Sequence, residues 1–221
     1  MKLYKLTDEN GCTQNNTQWG EGVTHTATGS PDIALCTDGW IHAYEHPLIA
    51  VFMNPAQAGF KNPRLWQAEG DIVKQEGQLK CGCRALTTVK EILLPVITIE
   101  QRVEIAIRCV KLVRHDPAWN LWADNWLSGK DRSARSAEAW TRVSTRVSWA
   151  EAARSAWAMA FAEAWAAQAG AAHAQAWAAH AESWAAHAVA WAAHAARAAR
   201  AEIDLVAIIS TVVNPNNKEG K

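Results

Sequence analysis

Four histidines recur every seven residues, His173, His180, His187 and His194, and the first three each stand four residues before a tryptophan. Imidazole changes protonation near neutral pH and, when neutral, ligates zinc or copper, so a periodic row of it offers proton transfer or metal binding. Seven residues of α-helix rise about 10 Å, so one chain cannot chelate with successive histidines and ligation would need several chains. The reading that follows is a row of polar core residues that bond to one another or to water and fix a register, with no metal and no cofactor. In the N-terminal half, His42, Tyr44 and His46 alternate along one strand face, where they can act as a base and a stacking platform. Cys81 and Cys83 form the one close cysteine pair, and without a second pair they fall short of a zinc site. No G-x-G-x-x-G, Walker loop, G-x-S-x-G or H-E-x-x-H occurs, so phosphate cradling is not signalled.

The 221 residues carry 22 basic and 22 acidic side chains, a balance that excludes the basic footprint of a nucleic-acid binder. Five cysteines, an odd number, and a start without an apolar signal segment point to a reducing cytoplasm. No run of 18 strongly apolar residues is present, so a membrane span is not expected.

Chemistry needs elements to hold it, and the chain changes character near residue 130. Residues 1–116 use a mixed alphabet and read as a small α+β domain. Lys2 to Leu6 is a first strand, Gly22 to Thr28 a second, and Gly39 to Tyr44 a third that leads through Pro47 into a short helix stopped at Asn54-Pro55. Arg64 to Val73 and Gln78 to Thr88 are later strands. Thr98 and Gln101 form a capping box before a closing helix with Val103, Ala106, Ile107, Val110 and Val113 on one face. Residues 117–130 read as a short helix and hinge carrying Trp119, Trp122 and Trp126, and residues 214–221 as a disordered tail.

Between Ala150 and Ala201, 29 of 52 residues are alanine, which favours helix over disorder. Residues 131–213 are therefore expected to form one long coiled-coil helix, so the fold class is an α+β domain followed by an Ala-rich helical coiled-coil tail. Its seam runs through Trp157, Phe161, Trp165, His173, Trp177, His180, Trp184, His187, Trp191, His194, Leu205 and Ile208, with one stutter after Phe161. Bulky tryptophan flanked by alanine predicts a homo-oligomer of three or more chains. The competing arrangement is an intramolecular hairpin at Gly170, disfavoured because the residues around it lack turn chemistry.

The H-x-x-x-W spacing resembles the gating pair of viral proton channels, which implies a His/Trp-lined pore as one alternative. The stretches "KLYKLTDENGCTQNNTQWGEGVTH" and "LCTDGWIHAYEHPLIAVFMNPAQAGFKNPRLWQAEG" resemble an uncharacterised family of small bacterial and phage-borne proteins, over about the first 115 residues. A fainter likeness to the ADP-ribosyltransferase fold rests on "WIHAYEHPLIAVFMNP", "LWQAEGDIV" and "LKCGCRALTTVKEI". That likeness implies an enzyme acting on a nicotinamide nucleotide, with His25, His42, Tyr44, Glu45 and Arg64 as residues of the types it would use. The leading expectation is a binding or scaffold protein, in which the tail multimerises a domain that holds a small molecule or a protein partner.

Overall fold

The alternation of Leu3, Lys5 and Thr7 with Tyr4 and Leu6 makes a strand buried on both faces, and it is the first element of the computed structural model. The structure describes residues 1–31, 34–143, 147–166 and 171–215; Gly170, the side chain of Trp165 and residues 216–221 of the expected tail lie outside the described residues. The chain divides into two units, Met1–Val96 and Ile97–Lys221.

The first unit runs β1 (Lys2–Thr7), β2 (Cys12–Thr13), β3 (Thr17–Gln18), β4 (Thr24–Thr26), β5 (Ile41–Ala43), α1 (Pro47–Gln57), β6 (Arg64–Gln75) and β7 (Cys81–Ile92). Five of these strands form an antiparallel sheet in which β1 pairs with β6, β6 with β7, and β7 with both β5 and β4. Past β5, Tyr44 exchanges two backbone hydrogen bonds with Tyr4, at 2.8 and 2.9 Å. The path β1–β6–β7–β5 thus closes on itself, which leaves little unpaired edge. Inside lie Leu3, Trp19, Ala43, Ala68, Cys81, Cys83 and Leu86. On the other face of β7, Gly82 leaves room for Leu35: a Cβ would stand 2.5 Å from Leu35 Cδ1.

Helix α1 does not stop at Asn54-Pro55 but continues to Gln57. Proline there forfeits one hydrogen bond near the helix end. Asn54 closes the end instead, its carbonyl accepting from Ala58 and Gly59 and its side chain pairing both ways with the Phe60 backbone.

The second unit holds α2 (Ile99–Val113), α3 (Pro117–Leu127), α4 (Ala134–Val143), α5 (Val147–Ala166), α6 (Ala171–Ala198) and α7 (Leu205–Val213). The long coiled-coil helix over 131–213 is therefore overturned: four shorter helices occupy that stretch, and α5 packs along α6. Helix α2, read from the sequence with the strands, belongs to this unit and packs on α3, α5, α6 and α7. Its buried set includes Ile105 and Cys109 as well as Val103, Ala106, Ile107 and Val110, the pattern of a helix with neighbours on several sides.

The segment read as a short helix and hinge is capped at its start and tied to α2 by ion pairs. Asp116 caps α3 through Trp119 N (2.8 Å), Lys111 of α2 pairs with Asp124, and Arg132 pairs with Glu100 while donating to Trp126 O at 3.0 Å. After α6 the chain turns at Arg200, in left-handed backbone (φ 58°), and Asp204 caps α7 through Ala207 N at 2.9 Å. No glycine or proline marks that break. Beyond it Ile203, Leu205 and Ile209 are buried, and α7 packs on α2.

The W-A-A-H-A-x-x repeat writes two stripes of three-and-four spacing on α6. Ala181, Ala185, Ala188 and Ala192 follow the His/Trp stripe by one residue, or about 100° round the helix, and these alanines are buried. Small side chains let helix axes approach closely with no rotamer entropy to lose. Ala188→Leu is accordingly expected to lower the stability of the helical unit by about 1–3 kcal/mol through overpacking. Thermal melts followed by circular dichroism measure this, and an unchanged midpoint would place the alanine stripe at the surface.

Candidate functional site

Because alanine faces inward, the large rings of the repeat are displaced toward the surface of the α5–α6 pair. Trp157, Phe161, Trp177, Trp184 and Trp191 are half-buried, and His173, His180, His187 and His194 are exposed. Within the single chain, then, these histidines do not lie in a buried seam. The rings instead touch each other. Trp157 meets Trp177 edge-on at 4.8 Å between centroids and Phe161 at 5.2 Å, Phe161 meets Trp177 at 5.4 Å, and Trp177 is followed by His180 at 6.0 Å. His180 then stacks on Trp184 at 5.4 Å. Across the α5–α6 pair it is therefore Trp157 and Trp177 that meet. His187 donates from Nδ1 to Ser183 O at 2.8 Å. Of the two seam residues on α7, Leu205 is buried and Ile208 half-buried, so Leu205 serves the chain's own packing.

On α6 this face is a run of aromatic and imidazole rings with almost no charge, while on α5 Arg154 stands three residues before Trp157. Between Trp165 and Ala196 the one acid or base besides histidine is Glu182, which bears electrostatically on the buried Arg102 of α2. Such a surface can stack on flat apolar groups. Among the described residues no three His, Cys, Asp or Glu side chains converge as metal ligands, and no helix is long and apolar enough to cross a membrane.

Each of the five candidate residues of the first unit is engaged by a partner outside the five. His25 lies edge-on to Trp19 at 4.6 Å, its Nε2 at 2.7 Å from Gln18 O. His42 donates from Nε2 to Leu35 O, and burial holds its pKa below the ordinary range. Tyr44 donates to Gln57 Oε1 at 2.9 Å, and burial raises its hydroxyl pKa. Glu45 accepts from Gln75 Nε2 at 2.7 Å. Arg64 forks onto Glu91 at 3.0 and 2.5 Å and holds that carboxyl below its usual range. His46, read with His42 and Tyr44 as one strand face, caps α1 by accepting from Leu48 N at 3.2 Å. An open depression on the outer face of β6 and β7, with Glu69, Asp71, Arg84 and Thr87 in its wall, includes none of the five.

Reading by residue type passes over Lys5. On β1 it shares the inward face with Leu3, and it is buried: its Nζ donates to His42 O at 2.8 Å and lies 5.0 Å from the Trp19 ring centroid. Burial lowers its pKa from 10.5 to about 8, against the pull of Cys83 and Cys81. These two thiols share a hydrogen bond that raises Cys81, with burial adding to the rise, and lowers Cys83. The period of two along Lys2–Thr7 is the available signal, since it puts Lys5 on the same side as Leu3.

No family model, curated protein or solved structure matches the chain.

Proposed function

We propose that the protein is a binding or scaffold protein whose copies associate through the aromatic face of α5 and α6, arraying the strand unit in several copies. The observation that carries this reading is the ladder Trp157–Trp177–His180–Trp184, whose half-buried and exposed rings meet edge-on, tilted and stacked in turn while alanine fills the interior. A second copy is the partner that fits, because the α6 part of the face, nearly uncharged and with a seven-residue repeat, matches itself and offers a charged partner little to pair with. Arraying the first unit multiplies weak contacts to a small molecule or protein by avidity.

Light scattering of the full chain is expected to give a multiple of the single-chain mass at micromolar concentration. Trp184→Ala should weaken that assembly by at least about tenfold, roughly 1.4 kcal/mol, whereas Gln175→Ala, exposed on the same helix and off the ladder, should leave it unchanged. A single-chain mass for the unmodified protein, or equal responses of the two variants, would overturn the assignment.

A further inference from the structure

Cys36 is the exposed member of the five cysteines; Cys81, Cys83 and Cys109 are buried and Cys12 is half-buried. It stands on a held loop. His42 bonds the carbonyl of the preceding Leu35, Leu35 packs over Gly82, and Thr37 Oγ1 donates to Ala34 O at 2.7 Å. Opposite it is Lys80, in the turn between β6 and β7 that is closed by Glu76 N to Lys80 O at 3.0 Å and Leu79 N to Glu76 O at 3.1 Å. Lys80 Nζ reaches Cys36 Sγ at 2.8 Å and Glu76 Oε2 at 3.3 Å, with its side chain only 11% exposed. Sulfur thus faces water on one side and a pinned amine on the other.

We infer that Cys36 is a peroxide-sensitive thiol whose oxidised sulfur couples to the Lys80 nitrogen, giving a reversible sulfenamide that ties the 34–40 loop to the β6–β7 turn. Exposed thiols beside a lysine are the ones that oxidants reach, and a sulfenic acid condenses with a neighbouring nucleophile when one is held against it. In the first step the sulfur attacks hydrogen peroxide, the O–O bond breaks, water leaves and the sulfur becomes a sulfenic acid, oxidised by two electrons. In the second, Glu76 takes a proton from the ammonium, the nitrogen lone pair attacks sulfur and the S–O bond breaks. The departing hydroxide takes a second nitrogen proton and leaves as water. Thiol, ammonium and one peroxide thus give the S–N bond, two waters and one proton. Burial lowers the Lys80 pKa, but the Cys36 sulfur and Glu76 outweigh it and hold the amine protonated above its ordinary range. Oxidation of the sulfur withdraws part of that hold. An added dithiol reverses the link by attacking sulfur and releasing the amine.

The full chain treated with one equivalent of hydrogen peroxide should become lighter by two hydrogens, and a tryptic map should join the Cys36 peptide to Lys80, with normal cleavage restored by dithiothreitol. Lys80→Arg keeps the charge but cannot make this link. Its sulfenic acid should persist and be trapped by dimedone at least about tenfold more than in the unmodified protein, and Cys36→Ser should show neither product. Equal dimedone trapping in the unmodified and Lys80→Arg proteins, a link that retains an oxygen, a disulfide between chains, or an unreacted Cys36 would each overturn the inference.

Discussion

Lys5→Met is expected to stabilise the strand unit at pH 7.5 by about 2 kcal/mol, and the advantage should disappear as the pH approaches 10.5. The ammonium is held in the interior with a pKa lowered from 10.5 to about 8 by burial. Every tenfold loss of proton affinity on folding is worth about 1.4 kcal/mol, so the charged form costs the fold about 3 kcal/mol. From this is subtracted about 1 kcal/mol for the hydrogen bond that Lys5 gives to His42 O, which methionine cannot replace. Below pH 8 both folded and unfolded chains hold the proton, and the cost is constant. Between pH 8 and 10.5 the unfolded chain holds it and the folded chain does not, so the stability of the unmodified protein rises with pH relative to the variant. Denaturant midpoints of the two proteins at pH 7.5 and 10.5 measure this. Parallel responses would mean that the Lys5 ammonium keeps its water.

Trp119→Ala should cost about 3–5 kcal/mol, the loss expected when a fully buried aromatic leaves a cavity. Trp119 and Trp126 have no exposed surface and Trp122 has 5%. The indole N–H groups of all three find no acceptor among the described residues. Trp119→Phe should therefore cost much less than truncation, since it removes a donor that has nothing to lose and keeps a large ring in place. Urea unfolding of the three proteins separates the two effects. A Phe variant as damaged as the Ala variant would show that the Trp119 N–H is bonded in the folded protein.

Signals in the sequence are legible where the physics is local. Thr98 and Gln101 exchange both hydrogen bonds of the capping box, at 2.9 and 3.2 Å. Asp116 with Pro117 starts α3, and the runs beginning at Lys2, Arg64 and Gln78 fall on β1, β6 and β7, although these strands extend past the expected ends to Thr7, Gln75 and Ile92. The short pairs β2 and β3 carry too few residues for an alternating pattern to show. Two departures have one cause. Transfer preference, weighed without the packing partner, puts Lys5 at the surface and the tryptophans of the repeat in the helix core. In the folded chain Lys5 follows the period of its strand inward, and the interior between helices admits alanine where indole is too large. The Cys36–Lys80 contact joins residues 44 apart that no sequence pattern links.

The register of β1 has a consequence for the order in which the chain can fold. Lys2 pairs with Glu69 and Thr7 with Arg64, so before β6 exists β1 has only the single bridge from Tyr4 to Tyr44. The cost of closing so long a loop comes before the pairing that rewards it. At synthesis rates of about 5–20 residues per second, β1 leaves the ribosome roughly 3–12 s before β6. Because Tyr4 also needs Tyr44 and β6 needs β7, the strand unit does not grow outward from its first strand. Its sheet is complete only when β7, the partner of β4, β5 and β6, arrives.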